Sequence, residues 1–486
     1  MVRMRAIPSD LYASWRALVP IPAGLQDAAS GTPDERLLQQ IWRHQRLRRP
    51  ELRTLDGRPL AVLHPGFWNR EAGPDFRRAV IQFANDPPLT GDIEVDLEPG
   101  GWHQHGHDVN PAFREVRLHV VWAAPKGHSA PLPVVALHGA LDAPLTELAG
   151  WLGSAAADHD AARWQLGRCS AGLTALPLPV LTDLLFQAGR ARLEYKAGQV
   201  CARAREVGWE PALWEALLAA LGYKHNAWPM RQLAELRPRL LQTDAGKPPT
   251  TLVTESRLLG VAGLLPTDLA PRTGERHLRE LWDIWWRDRA ALEDCILPRS
   301  IWHFHGIRPA NHPHRRLALA ARWLANPRTI DALETWAAEP TATHRLVESL
   351  LRCLLPEPDE FWDRRWSLST PAGAQRQPLL GPGRATEVAV NAILPWFHAR
   401  AAAGGNTTFQ RQIEEQFTAW PAAEDNAVLR LARQRLFGTA RPHLPRRAAL
   451  QQGLQQVVRD FCNRTNSLCD GCRFPALVAT VPVSGP

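Results

Sequence analysis

Residues 73–107 read GPDFRRAVIQFANDPPLTGDIEVDLEPGGWHQHGH, and the alternation inside them decides the fold. FRRAVIQF (76–83) and GDIEVDL (91–97) are short, rich in β-branched residues and bounded by Gly, Pro and Asn-Asp, which predicts two strands. Strand side chains alternate faces, so Asp92, Glu94 and Asp96 share one face while Ile93, Val95 and Leu97 take the other. A half-buried strand with a solvated acidic face explains that pattern by itself. Adjacent carboxylates repel, however, and a cation is the usual remedy where several converge. Asp75 stands at the mouth of the first strand, nineteen residues before Glu94.

Working outward, PDERLLQQIWRHQRL (33–47) has apolar residues at Leu37, Leu38, Ile41 and Trp42, the spacing of an amphipathic helix. PLAVLHPG (59–66) and VRLHVVW (116–122) read as further strands, and APLPVVALHG (130–139) offers one more. The predicted order is helix, three strands, a loop or short helix, then a fourth strand. Beyond about residue 150 the texture changes to Ala/Leu/Arg segments with helical spacing, such as TDLLFQAGRARLEYKAGQVCARAREV, WEPALWEALLAALGY and RRLALAARWLA. Pro- and Gly-rich linkers at 243–250 and 371–384 separate helical groups, and no repeat of fixed period stands out. The expected organisation is an α/β domain over 1–150, a helical region over 151–460 and a cysteine knuckle over 461–475.

The 486 residues are 45% hydrophobic and 22% charged, the balance of a folded globular chain. No run of about 18 uncharged apolar residues exists and MVRMRAIPSDLYASW lacks the apolar centre of a secretory signal, so no membrane partner and a cytoplasmic location are expected. Net charge is +8, which suits a polyanionic partner. Only four of the 57 basic residues are lysine, a skew that also fits a GC-rich genome.

Helix, strand, a strand opened by Asp, a strand carrying Glu-x-Asp and a further strand together resemble the core of the PD-(D/E)XK nuclease superfamily. The resemblance implies a restriction-endonuclease-like mixed sheet with flanking helices, in which Asp75 and Glu94 hold Mg²⁺ against a scissile phosphate. It makes Glu35, on the first helix, an auxiliary acid. Asp96 departs from the pattern, because the superfamily usually has lysine there, although some members carry Glu-x-Asp followed by a nearby histidine. Asp96, His105 and His107 are therefore the expected groups for positioning water or phosphate. His103, His105 and His107 also suit a transition metal, which leaves a histidine-metal hydrolase as another reading. His119, inside LHVVW, reads as a core histidine.

DFCNRTNSLCDGC places Cys462, Cys469 and Cys472 in a C-x6-C-x2-C arrangement. C-x2-C lets two thiolates grip one ion from a tight turn, so structural Zn²⁺ is expected, with an iron–sulfur cluster as the other use of such a set. The fourth ligand must come from afar: Cys169, Cys353 or a histidine. IWHFHGIRPANHPHRRLALAARWL supplies Arg308, Asn311, Arg315 and Arg316 around the start of a helix, an expected nucleic-acid-binding surface. Caps and cross-links within the helical region are the other use of those residues.

Along nearly its whole length the chain resembles a bacterial family catalogued as domain of unknown function 2851. The matching stretches are GFWNREAGPDF, GDIEV, WHQHGHDVNPAF, LHVVW, RLEYKAG, GYKHN, GVAGLLP, GIRPANHPHRR and FCNRTNSLCDGC. Histidine is common in that family where Asp96 stands. A Pro-Cys stretch in its middle corresponds to GRCS (167–170), and on that resemblance Cys169 is the fourth cysteine ligand. The expected function is Mg²⁺-dependent cleavage of DNA or RNA. The alternative is a non-catalytic nucleic-acid-binding or scaffold protein with a decayed nuclease-like core.

Overall fold

The computed structural model describes residues 7–18, 31–69, 72–125, 132–152, 166–243, 248–267, 276–339, 342–354, 357–440, 442–462 and 469–481. The linker expected at 243–250 falls partly outside them, as do the first six residues and positions 463–468 of the cysteine segment. The chain divides into two compact units, Met1–Glu206 with Gln410–Pro486, and Val207–Phe409. The helical region is therefore not one block. Its last part returns to the unit that holds the sheet, which differs from the boundaries at 150 and 460 expected from composition.

In the first unit, the helix Glu35–His44 begins where the Asp34 carboxylate accepts the Leu37 N–H and ends at Gln45, whose φ of 47° is left-handed. Its buried face carries Leu37, Leu38, Ile41 and Trp42. The strands are β1 (Leu60–His64), β2 (Phe67–Trp68), β3 (Phe76–Phe83), β4 (Leu89–Asp96), β5 (Val116–Val121) and β6 (Val134–Ala136). They form one mixed sheet in the order β1-β3-β4-β5-β6, with β2 paired to β3. β1, β3 and β4 run antiparallel, whereas β4–β5 and β5–β6 are parallel. The parallel return from β4 to β5 uses a one-turn helix, Gly101–Gln104, and a 3-10 turn at Pro111–Phe113.

One face of this sheet packs Ile93, Val95, Leu118 and Val120 against Leu38, Ile41 and Trp42 of the helix. Burial of those side chains is the main force holding the helix to the sheet. Glu94, Asp96 and His119 take the other face by strand alternation. That face is not open to water: Trp102, Phe113 and Val116 form a second apolar cluster, and the Trp102 ring centroid lies 5.7 Å from that of His119. Asp92 parts from its two neighbours. A register shift in β3 between Phe76 and Ala79 puts Arg78 at a φ of 56°, and the Arg78 N–H donates to Asp92 Oδ1 at 2.9 Å. Asp92 thus caps a bulge.

The rest of the unit is helical. Leu11–Ala17, Ser170–Ala175, Leu178–Val207, Ala427–Phe437, Ala448–Asp460 and Phe474–Ala479 share an apolar cluster that includes Tyr12, Leu184, Leu436, Val457 and Phe474. Tyr12 donates to Asp460 at 2.9 Å, and Arg192 donates to Gln452 and Gln455 at 2.7 and 3.0 Å. These bonds satisfy polar groups that long helices bring into the interior.

The second unit is a helical assembly that includes Trp209–Glu235, Thr251–Val261, Arg276–Asp288, Pro313–Ala325 and Leu394–Ala403. Arg315 and Arg316, expected on an exposed surface, are buried at 1% and 4% exposure. Arg315 donates to the carbonyls of Trp362, Arg365, Gln377 and Pro378. Arg316 donates to the Leu379 carbonyl and to Asn311 Oδ1 at 2.9 and 2.8 Å. The two guanidiniums cross-link a loop from within, which corrects their reading as phosphate contacts; Arg308 stays exposed. Among the described residues no helix is long and apolar enough to cross a membrane.

Candidate active site

β3 and β4 bring Asp75 and Glu94 together through their own backbone. The Asp75 N–H donates to Glu94 Oε2 at 3.1 Å, and Asp75 Oδ2 accepts the Val95 N–H at 3.1 Å. Each carboxylate is fixed by the other strand, so neither swings without breaking a bond. Gln39, four residues after Glu35 and therefore on the same helix face, donates to Asp75 Oδ1 at 2.9 Å. Glu35 approaches closely enough that Asp96 repels its carboxylate. Desolvation first and Asp96 second raise the Glu35 pKa, with His105 acting against them.

The same crowding acts more strongly on the central pair. Burial, and after it the Glu35 carboxylate, pushes Asp75 up to about 7, against the bonds from Val95 and Gln39. Burial, and after it Asp75, pushes Glu94 up to about 9, against the Asp75 N–H. Carboxylates perturbed this far by desolvation and like charge mark a place that wants a proton or a cation.

Asp96 is 3% exposed and partnered on both oxygens. His119 Nε2 lies 2.8 Å from Oδ2, and His105 Nδ1 lies 3.3 Å from Oδ1. The carboxylate sits against Gly101, where an added Cβ would fall 2.7 Å from Oδ1. Only glycine lets the backbone after β4 fold this closely over it. The three histidines of the loop diverge. His103 pairs with Asp108 at 3.1 Å on the surface, His105 reaches Asp96, and His107 Nδ1 faces Glu94 Oε1 at 3.5 Å. His107 is buried against Phe113, with ring centroids 4.0 Å apart, and burial lowers its pKa.

The structure therefore collects Glu35, Asp75, Glu94, Asp96, His105 and His107 at one end of the sheet and adds two groups. His119, read from the sequence as a core histidine, is buried but bonded to Asp96; its register opposite Glu94 in the parallel pair places it there. Gln39 was legible as a helical neighbour of Glu35 and was missed because amides carry no distinctive chemical signature. Among the described residues, no three His, Cys, Asp or Glu side chains already surround a common point as metal ligands would.

Elsewhere in the same unit, Arg168 Nη2 meets Asp470 Oδ1 at 2.7 Å, bringing the GRCS and CDGC segments together. Cys169 and Cys472 pack in one apolar cluster, and Arg435 donates to Cys469 Sγ at 3.1 Å. Burial first, then the neighbouring thiols of Cys462, Cys472 and Cys469, push Cys169 up to about 12.

No curated protein and no solved structure matches the chain. Residues 35–426, most of its length and including every carboxylate and histidine of the site above, match the family described as Protein of unknown function (DUF2851), and the chain belongs to that family.

Proposed function

We propose that this protein is a Mg²⁺-dependent phosphodiesterase acting on DNA or RNA, with Asp75 and Glu94 as the metal-holding pair. The observation that carries this reading is the interlock of those two carboxyls across β3 and β4, with both held above their ordinary pKa by burial first and by a neighbouring carboxylate second, Glu35 for Asp75 and Asp75 for Glu94. The donor set fits the ion: hard carboxylate oxygens on two rigid strands suit a hard divalent cation. When bound, Mg²⁺ would supply stabilisation of charge on the phosphoryl group and a bound water of lowered pKa.

The remaining roles belong to the chain's own side chains. Gln39 holds Asp75 in place, and Glu35 adds a carboxylate at the edge of the site. His105, oriented by Asp96 and half-exposed, would position the attacking water and take its proton. His107 would steady Glu94 from its buried side. The strand order and the +8 net charge support the same reading, since a nuclease-like sheet and a polyanionic substrate go together.

A second reading has its own observation. Asp96 stands where the nuclease superfamily usually has lysine and is committed to two histidines, which favours a nucleic-acid-binding protein whose chemistry has decayed. One experiment separates the two. Wild type and Glu94→Ala are incubated at low salt with single- and double-stranded DNA and RNA, with Mg²⁺ or Mn²⁺. Equal binding with cleavage by wild type alone supports the enzyme; binding without cleavage by either protein supports the second reading. Neither binding nor cleavage removes the nucleic-acid assignment.

A further inference from the structure

Seven cysteines are present, none in a disulfide, and four of them, all among the described residues, lie near enough in the first unit for their charges to act on one another, without already surrounding a common point. Cys169 is 4% exposed and immediately precedes the helix Ser170–Ala175. Cys462 follows the helix Ala448–Asp460, and Cys469 and Cys472 precede the helix Phe474–Ala479. Direct contacts tie the 166–175 segment to the 469–472 turn, and Phe461, next to Cys462, shares their apolar cluster. The Gly167 N–H donates to the Arg435 carbonyl at 2.7 Å, and Arg435 donates to Cys469 Sγ at 3.1 Å. Arg168 pairs with Asp470 at 2.7 Å. Cys472 packs against the cluster that contains Cys169, Leu173, Phe461, Phe474 and Val478.

The turn between Cys469 and Cys472 has the shape of a metal knuckle. The Cys472 N–H donates to the Cys469 carbonyl at 3.2 Å, and Cys469 and Gly471 both take left-handed φ values, 58° and 72°. A non-glycine residue is uncommon in that region, and the two left-handed residues fold the turn tightly enough to bring both sulfurs to one side. The electrostatics point the same way. Arg435 is only 5% exposed and directs a donor at sulfur; neutral thiols are weak acceptors, whereas four thiolates around a divalent ion carry a net charge of about −2 that such a guanidinium would offset.

We propose that Cys169, Cys462, Cys469 and Cys472 form a tetrathiolate metal centre, occupied by zinc, that fastens the C-terminal segment to the 166–175 segment within this unit. As each S–H proton leaves for solvent, that sulfur's lone pair binds the ion, so four protons are released per zinc and affinity falls as pH drops. The inference is independent of the chemistry proposed for β3 and β4. Cys201, Cys295 and Cys353 take no part.

The test uses the full chain purified without chelator. Metal content and the visible spectrum are measured, and X-ray absorption at the metal edge counts sulfur ligands in wild type, so the result does not hang on a variant that fails to fold. The expected result is about one zinc per chain in a shell of four sulfurs at about 2.3 Å, lost in Cys169→Ser and Cys469→Ser and kept in Cys353→Ser. Sulfur-ligated iron with visible absorbance, lost in the same two variants, upholds the four-thiolate centre but overturns its assignment to zinc. The proposal fails if the folded protein carries neither metal and all four thiols react freely with a thiol reagent. It also fails if the bound metal has a nitrogen and oxygen shell, or if both serine variants retain it.

Discussion

His119 Nε2 and Asp96 Oδ2 are 2.8 Å apart, with both side chains almost wholly removed from water. The pair lies across β4 and β5, with the Trp102 ring 5.7 Å from that of His119, and Gly101 packed against Asp96 leaves no room for a longer side chain at position 96. Asp96→Lys would replace the acceptor of the His119 hydrogen bond with an ammonium and push a long side chain toward Gly101. Breaking a buried pair by removing one partner costs about 3–5 kcal/mol. Denaturant unfolding should show a loss of that order for Asp96→Lys and a smaller one for Asp96→Asn, which keeps shape and a hydrogen-bonding group. Equal stability of wild type and Asp96→Lys would show that the pair contributes nothing.

The raised carboxyls predict how the metal-free protein responds to pH. Asp75 and Glu94 have folded pKa values near 7 and 9, above their ordinary values, so their protonated forms favour the fold. The stability they contribute is fully present below the unfolded values, near pH 4, and is lost as pH rises through about 7 and then about 9. Mg²⁺ needs the deprotonated forms, so its stabilising effect should grow over the same window. Thermal unfolding at pH 5.5 and 8.5, with and without Mg²⁺, gives the measurement. A Mg²⁺-induced shift that is larger at the lower pH contradicts the assignment of these groups as ligands.

Gln39 reaches Asp75 from a partly exposed helix face, so its removal should weaken metal binding more than folding. Loss of a side chain that orients a ligand typically lowers metal affinity about 10–100-fold. Calorimetric titration of Gln39→Ala with Mn²⁺ should show a drop in that range, while the unfolding midpoint moves by no more than one exposed hydrogen bond allows, about 1 kcal/mol. Unchanged affinity would mean that the Gln39–Asp75 bond does not hold the carboxylate for a cation.

Arg315 serves four main-chain carbonyls, and truncation would strand several buried acceptors at about 1–3 kcal/mol each. Arg315→Ala should therefore lose at least about 3 kcal/mol of stability. At temperatures where it remains folded, its affinity for DNA or RNA and the salt dependence of that affinity should match wild type. Weakened binding with unchanged stability would return Arg315 to the nucleic-acid surface expected from the sequence.

Much of the sheet was legible because its information is local. Period-two alternation in GDIEVDL placed Glu94 and Asp96 together and away from Ile93 and Val95. Apolar spacing in ERLLQQIW fixed which face of the first helix is buried, and Asp75 at a strand mouth predicted its meeting with Glu94. The same periodicity misplaced Asp92, because one bulge at Arg78 is enough to take a residue out of its row. His105 and His107 read as equals in the sequence, yet one is half-exposed beside Asp96 and the other is buried against Phe113.

What the sequence by itself determined was a sheet-bearing first part followed by mostly helical chain, the pairing of β3 with β4 and the cysteine turn, since side-chain period and turn chemistry act over a few residues. Only the tertiary structure decided that residues 410–486 rejoin the sheet-bearing unit, that His119 partners Asp96, that Arg315 and Arg316 face inward and that Cys169 meets the C-terminal cysteines. Those outcomes depend on which distant surfaces bury one another. Arg316 would serve equally well on a surface until Leu379 and Asn311 arrive to take its donors, and no spacing along the chain encodes that arrival.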